Sequence, residues 1–159
     1  MRHLIERVLE LTEAEMATSA PVAPPMGEGS EVELKALLES LQPRIRVYGV
    51  GGAGCNAIGR LHSEGLFENS YVTGYAINTD AQALLMSPID EKILIGRTAR
   101  GRGAGGDPTK GEAAALESEL VLRQITNDTQ LAIITAGMGG GSGTGAAGQI
   151  ARLAKQQEQ

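Results

Sequence analysis

The amino-acid sequence predicts an α/β fold in which a Rossmann-like parallel β-sheet carries helices on both faces. Apolar runs typical of buried strands alternate with helical patterns from residue 45 to residue 155. Glycine is unusually abundant at 22 residues, and most of it falls in three short runs between these segments. A hydrophobic fraction of 42% is sufficient for a core. Strand–helix alternation of this kind indicates parallel strands joined by right-handed crossovers.

The segment before the first strand is predicted to be helical and acidic. Residues 1–15 have an amphipathic helical pattern, and residues 17–30, rich in Ala, Pro, Gly and Ser, are typical of a linker. A second helical pattern covers residues 31–42, with Ser30 as candidate N-cap, and ends before Pro43.

Charge separates this segment from the rest of the chain. Residues 1–44 contain eight acidic and four basic side chains, which is most of the net charge of −5. We therefore predict an acidic helical extension over residues 1–44 and a ligand-binding domain over residues 45–159. The extension is expected either to lie on the domain surface or to bind a partner.

Four strands and four helices are predicted in the domain. The strands are Ile45–Val50, Tyr71–Asn78, Lys92–Ile95 and Leu131–Ala136. The helices are Asn56–Glu64, Ala81–Met86, Lys110–Ile125 and Gly145–Lys155. The third helix is expected to have Asp107 as its cap, Pro108 in its first turn, and a buried face. That face comprises Ala114, Leu116, Leu120, Val121 and Ile125.

Composition excludes several classes of protein. No apolar run reaches the length of a membrane span, and no secretory signal is evident. The single cysteine rules out an internal disulfide and fits a cytoplasmic protein. The negative charge, with only 3% aromatic residues, argues against binding to nucleic acid.

The first glycine run, residues 49–54, has the pattern G-x-G-x-x-G between a strand and a helix. Such a turn lets the backbone approach a phosphate, and the helix N-terminus adds free amides. A dinucleotide-binding domain would also need an acidic residue at the end of the second strand. Asp80 lies beyond that position, and it is equally suited to capping the next helix.

The third run, residues 137–145, contains GGGSGTG at a predicted helix start. Because each glycine costs a helix about 1 kcal/mol relative to alanine, we expect a backbone nest around a di- or triphosphate, with Ser142 and Thr144 as side-chain donors. The second run, residues 100–108, adds arginines that would steer a polyphosphate towards the site.

These motifs resemble the successive nucleotide-binding loops of FtsZ, the tubulin-like GTPase of prokaryotic cell division. The resemblance rests on GVGGAGCN (49–56), AINTDAQAL (76–84), RGRGAGGDP (100–108) and TAGMGGGSGTGAA (135–147). It implies GTP or GDP as ligand, with Mg²⁺ held mainly through the phosphates and no protein metal site. The acidic helical extension is similar to that of archaeal members.

The resemblance also implies which residues contact the nucleotide. Four groups of residues are expected to do so. They are Gly51, Gly52 and Asn56 along the phosphates towards the base; Asp80 at the phosphate and Mg²⁺ region; Ala104, Gly105 and Gly106 over the γ-phosphate; and Gly140, Gly141, Gly143, Thr144 and Gly145 around the α- and β-phosphates.

Family members assemble head to tail into filaments, and an acidic loop of the next subunit completes GTP hydrolysis. The base-contacting residues and that loop would lie beyond Gln159. The chain is therefore expected to be an N-terminal fragment with no catalytic residue of its own, truncated after the fourth strand and following helix, with one bare sheet edge. Its implied setting is the cytoplasm at the division site, together with other division proteins and without membrane insertion.

Two other functions stay open at this point. One is a domain that binds NAD or FAD, based on the first glycine run alone. The other is a non-catalytic fragment that caps or regulates filaments of a longer relative. Cys55 is expected to be an inert thiol, and His62 a surface or boundary residue.

Overall fold

The computed structural model describes residues 31–156, and the chain divides into two units, Met1–Leu41 and Gln42–Gln159. In the first unit the described part is helix α1 (Glu31–Leu41), which has acidic residues in its first turn. Three predictions lie outside the described residues: the helix over 1–15, the linker over 17–30 and the Ser30 cap.

The second unit is a parallel sheet with connecting helices. Its strands are β1 (Ile45–Val50), β2 (Val72–Asn78), β3 (Glu91–Leu94) and β4 (Leu131–Ala136). Its helices are α2 (Gly51–Ser63), α3 (Ala81–Met86), α4 (Pro108–Glu117), α5 (Glu119–Thr126) and α6 (Gly141–Lys155), with 3₁₀ turns at Leu66–Glu68 and Arg97–Ala99. The strand order is β3-β2-β1-β4 with every pairing parallel. None of the described helices is long and apolar enough to cross a membrane.

The sheet has a hydrophobic core on each face, as predicted for helices on both sides. Successive residues of β1 point to opposite faces. Val47 lies in a cluster with Ile58 of α2, whereas Tyr48 lies in a second cluster with Ile150 of α6. Both clusters are almost fully excluded from solvent, so the central strand is fixed from both sides.

The strand register brings the loops after the strands to one edge. Val50, the last residue of β1, pairs with Ile77 of β2 on one side and with Ala136 of β4 on the other. The segments that follow these three residues therefore leave the sheet together. This carboxyl edge is where α/β sheets bind their ligands.

The opposite, amino edge is closed by a polar network. Nη1 of Arg46 donates to the Tyr75 hydroxyl and to the Ile125 carbonyl, each at 2.9 Å. The Tyr48 hydroxyl donates to the same carbonyl at 2.9 Å. Burial raises the pKa of Tyr48, so its hydroxyl stays a donor at neutral pH.

The long helix predicted over residues 110–125 is wrong, because the chain breaks at Ser118 into α4 and α5. Ser118 has φ −100° and ψ 16°, and its hydroxyl accepts a hydrogen bond from the Gly96 amide at 3.0 Å. The predicted buried face of this helix is also only partly correct. Of the predicted buried face, Ala114 is buried and Ile125 is half-buried, whereas Leu116, Leu120 and Val121 are exposed.

Two helices begin earlier than predicted. Helix α2 begins at Gly51 rather than Asn56, and α6 begins at Gly141 rather than Gly145. Glycine has a low helix propensity, so the sequence pattern placed these segments in loops. The glycine runs instead form the first turns of the helices, which directs their amides towards the carboxyl edge.

Among the described strands, β4 forms one edge of the sheet. Leu131 and Ile133, on one face of β4, are 50% and 46% exposed. Strand β3 forms the other edge among the described strands, so the bare edge expected from the sequence stays a prediction.

Candidate functional site

Helices α3 and α4 begin at the carboxyl edge with conventional side-chain caps. Oδ1 of Asp80 accepts from the amides of Gln82 and Ala83 at 2.9 and 3.1 Å. Oδ1 of Asp107 accepts from the amide and hydroxyl of Thr109 at 2.9 and 2.6 Å. Capping, one of the two roles predicted for Asp80, is therefore present, and the predicted cap at Asp107 is confirmed.

Helices α2 and α6 begin at the same edge without a side-chain cap. Their N-cap residues are Val50 and Gly140, and neither supplies a side-chain hydrogen bond. The first amides of a helix have no partner within the helix, and its dipole places partial positive charge at this end. These two N-termini are therefore suited to an anion.

The first and third glycine runs are in direct contact. Gly51 has φ +72°, and a side-chain carbon built on it would lie 2.8 Å from the Gly143 amide nitrogen. Gly143 in turn lies against the carbonyls of Val50 and Gly137, at 3.1 and 2.8 Å from such a carbon. Close backbone packing thus places the starts of α2 and α6 side by side.

The second glycine run lies against the start of α6. A side-chain carbon on Gly141 would lie 2.7 Å from Cβ of Ala104 and 2.8 Å from the Asp107 amide nitrogen. The run is also tied to the end of β2, because the Gly103 amide donates to the Thr79 carbonyl at 3.1 Å. The structure therefore brings all three glycine runs together, as the sequence predicted.

The predicted site residues divide into an open and a packed group. Gly52, Gly105, Gly106 and Gly140 are exposed, with no atom within 4 Å of a side-chain carbon built on them, and Asn56 is exposed. On the packed glycines, such a carbon would instead meet neighbouring backbone; these are Gly51, Gly141, Gly143 and Gly145. At Gly141 it would also meet Cβ of Ala104, which is itself buried. The open residues leave space for a ligand, while the packed ones hold the loops in place.

Unlike the open glycines, Gly145 and Thr144 face helix α4. A side-chain carbon on Gly145 would contact the Pro108 carbonyl oxygen and the Glu112 amide nitrogen. The Thr144 hydroxyl is buried without a hydrogen-bond partner, beside a groove of about 370 Å³ between α4 and α6. Phosphate contact by these two residues stays a prediction, and the structure gives Gly145 a packing role that sequence reasoning missed.

Thr79 also lies among the glycine runs, although the sequence pattern did not indicate it as a candidate site residue. It is 1% exposed, and its hydroxyl oxygen lies 2.6 Å from that of Ser142. Its position directly after a strand and before Asp80 was the available signal.

The remaining polar candidates are simpler. Arg97, Arg100 and Arg102 are exposed on or beside the second run, where they could steer an anion.

The Cys55 thiol is buried and lies 3.4 Å from the Gly49 carbonyl oxygen. Burial raises the pKa of Cys55, so the thiol is a poor nucleophile. His62 is half-buried and stacks on Phe67.

Protonation of Asp107 is expected to weaken the start of α4 in acid. The Thr109 hydroxyl and amide lower the pKa of Asp107 by stabilising its carboxylate. This contribution is present above the unfolded-state pKa of about 3.9, and it is lost as pH falls through the lower folded-state pKa. Denaturant midpoints from neutral pH to about pH 2 should show this decline in wild type. Asp107→Asn keeps a cap oxygen that does not titrate, and its profile should lack this component; superimposable profiles would contradict the role.

Comparisons with known proteins agree on one family. The family model described as "Tubulin/FtsZ family, GTPase domain" matches residues 44–159. The chain is 44% identical over 157 residues to cell division protein FtsZ 1 of Pyrococcus abyssi, covering 98% of this chain and 41% of that protein. The M. jannaschii FtsZ dimer aligns with a TM-score of 0.69 and 45% identity, over 80% of this chain and 38% of that one. The GTPγS-bound protofilament of CetZ2 from Haloferax volcanii aligns with a TM-score of 0.61 and 29% identity, over 69% and 35%. The chain thus spans about two fifths of these relatives.

Proposed function

Because the chain belongs to the tubulin/FtsZ family, we propose that it carries the GTP-binding part of an FtsZ-type, filament-forming cell-division protein. The nucleotide binds at the carboxyl edge of the sheet, with its phosphates at the N-termini of α2 and α6. GTP and GDP are both ligands, because the amides recognise phosphate oxygens that the two nucleotides share.

One observation carries this proposal: two helices of 13 and 15 residues begin side by side at this edge with no side-chain cap. The neighbouring helices α3 and α4 begin there with aspartate caps. An anion at the uncapped ends would accept hydrogen bonds from amides that otherwise have only water. The open glycines Gly52, Gly105, Gly106 and Gly140 leave room for it.

Hydrolysis is proposed to need residues from another subunit. The two carboxylates that begin helices beside the glycine runs, Asp80 and Asp107, both accept backbone hydrogen bonds as caps. Neither carboxylate is therefore free to act as a general base. Head-to-tail assembly, in which the next subunit supplies an acidic loop, resolves this. The GTPγS-bound protofilament of CetZ2 supports nucleotide-bound filament assembly as such.

Mg²⁺ is proposed to be held mainly by the phosphates. The ion prefers six oxygen ligands and commonly keeps several waters while using phosphate oxygens. Within residues 31–156 no group of three or more His, Cys, Asp or Glu side chains could hold a metal. We propose only a minor role for Asp80 in holding Mg²⁺. Its Oδ1 atom accepts the capping hydrogen bonds of α3, whereas its Oδ2 atom accepts no hydrogen bond from the described residues.

The cellular role is inferred from relatives that are named cell division proteins. We place this protein in the cytoplasm at the division site, associated with other division proteins. Nucleic acid is not a proposed partner, since the chain has a net charge of −5.

A dinucleotide-binding function is less well supported. NAD and FAD domains use an acidic residue at the end of the second strand to bind the ribose. That position is Asn78, which is 3% exposed, and Asp80 is engaged in capping α3.

Competition binding tests the proposal. A fluorescent GDP analogue is titrated with the chain, then displaced by GTP, GDP, NAD or FAD. Displacement by GTP and GDP alone is the expected result. Stronger displacement by NAD or FAD would overturn it. Sedimentation with filaments of a full-length relative tests the remaining alternative, because a capping fragment would change the filament mass.

Thr144→Val is expected to separate stability from binding. The buried, unpartnered hydroxyl costs folding free energy, so its removal should stabilise the nucleotide-free chain by about 1 kcal/mol. If the hydroxyl donates to a phosphate, nucleotide affinity should fall by about 1–3 kcal/mol. Denaturation and nucleotide titration measure the two effects, and unchanged affinity would remove Thr144 from the site.

A further inference from the structure

Thr79 lies between the second and third glycine runs and touches both. Its hydroxyl oxygen is 2.6 Å from that of Ser142, the second residue of α6. Its carbonyl oxygen accepts a hydrogen bond from the Gly103 amide at 3.1 Å. Thr79 is 1% exposed, so water does not compete for these bonds.

Either hydroxyl can be the donor in this contact, and the two directions differ in their consequence for Ser142. A hydroxyl has one proton to donate and two lone pairs. If Thr79 donates to Ser142, the Ser142 proton stays free to be donated elsewhere. Ser142 lies in the first turn of α6, at the uncapped end where we place the phosphates.

The backbone of Thr79 restricts where its hydroxyl can lie. Besides the bond from Gly103, the Ala81 amide donates to the Gly101 carbonyl at 3.1 Å, and Asp80 forms a β-bridge with Arg102. These contacts fix the segment after β2 against the second glycine run. The position of that run is therefore linked through Thr79 to the orientation of the Ser142 hydroxyl.

We infer that Thr79 is a positioning residue that donates to Ser142 and so directs the Ser142 proton towards a bound phosphate. The inference rests on the proposed nucleotide site and adds to it how the third glycine run is prepared for its ligand. Thr79 itself does not contact the nucleotide.

A double-mutant cycle tests this role. Affinity for GTPγS is measured in wild type, Thr79→Val, Ser142→Ala and the double variant. We expect each single variant to bind about 10-fold more weakly, and the double variant to be no weaker than Ser142→Ala, because Thr79 acts through Ser142. Thr79→Ser keeps the donor and should restore binding to near the wild-type level.

Thr126→Val is the matched control. Thr126 is equally buried, but its hydroxyl bonds only to the Leu122 and Arg123 carbonyls of its own helix. The affinity of the Thr126→Val variant for GTPγS should match that of wild type. Circular dichroism is used to check that every variant is folded. Independent, multiplicative losses in the cycle, or a Thr79→Ser variant as weak as Thr79→Val, would overturn the inference alone. A folded wild-type chain that binds no nucleotide would overturn both the inference and the proposed function.

Discussion

Replacing Gly140 with aspartate is expected to weaken nucleotide binding by at least about 100-fold while the chain becomes slightly more stable than wild type. Gly140 is the N-cap of α6, with φ −113° and ψ 179°, a conformation that any residue adopts. No atom lies within 4 Å of a side-chain carbon built there. The substitution therefore causes neither strain nor a clash.

The expected loss of binding comes from competition for the same amides. An aspartate at an N-cap accepts from the second or third amide of its helix, here Ser142 or Gly143. Those amides are the ones that we assign to phosphate, and the new carboxylate also repels it. Two charge-assisted hydrogen bonds at about 1.5–3 kcal/mol each account for a loss of this size. Helix stability should rise by a few tenths of a kcal/mol, since aspartate is a better cap than glycine.

Two controls separate the causes. Gly140→Asn caps the helix without charge and should give an intermediate loss of affinity. Gly148→Asp adds the same charge to α6 at an exposed position away from the free amides, and should bind almost as wild type. Titration with a fluorescent nucleotide measures affinity, and chemical denaturation measures stability. A folded Gly140→Asp chain with unchanged affinity would show that the phosphates do not lie at this helix end.

The sequence was sufficient to predict the parallel sheet and the meeting of its glycine runs, because both depend on local patterns and on topology. Strands followed by glycine and then a helix, such as Ile45–Val50, require a loop at the carboxyl edge. Parallel pairing then forces such loops together, and the register of Val50 with Ala136 shows that outcome.

The break at Ser118 could not be predicted from the sequence pattern. A helical periodicity continues through it, and serine is tolerated within helices. At the end of α4, the Ser118 hydroxyl accepts a hydrogen bond from the amide of Gly96, which is distant in the sequence. A local sequence pattern does not contain such a contact. Leu116, before the break, and Leu120, after it, are both exposed.

The division of the glycines into open and packed groups was also beyond sequence reasoning. Gly140 and Gly141 are adjacent and chemically identical, but one faces open space and the other faces Ala104 and Asp107. Sequence reasoning explained the glycines of the third run by phosphate binding alone. Backbone packing against α4 is a second cause, and it applies to Gly141 and Gly145.

Gly145→Ala is expected to destabilise the chain by about 1–3 kcal/mol, although alanine is the better helix former. A side-chain carbon there would contact the Pro108 carbonyl oxygen and the Glu112 amide nitrogen, and would lie 2.8 Å from the Gly111 carbonyl carbon. These are backbone atoms of α4, which cannot rotate away as a side chain could. Overpacking of this kind usually costs about 1–3 kcal/mol and sometimes more.

Gly148→Ala, one turn further along the same helix, is the matched comparison. No atom lies within 4 Å of its new side-chain carbon, so only the helix-propensity gain of about 0.5–1 kcal/mol should appear. Because both substitutions are in the interior of α6, the difference between their denaturation free energies isolates the contact with α4. Equal stabilisation by the two alanines would contradict the packing role of Gly145. Since Gly141 faces α4 on the same side of α6, a displaced helix in Gly145→Ala should also move the uncapped amides and weaken nucleotide binding.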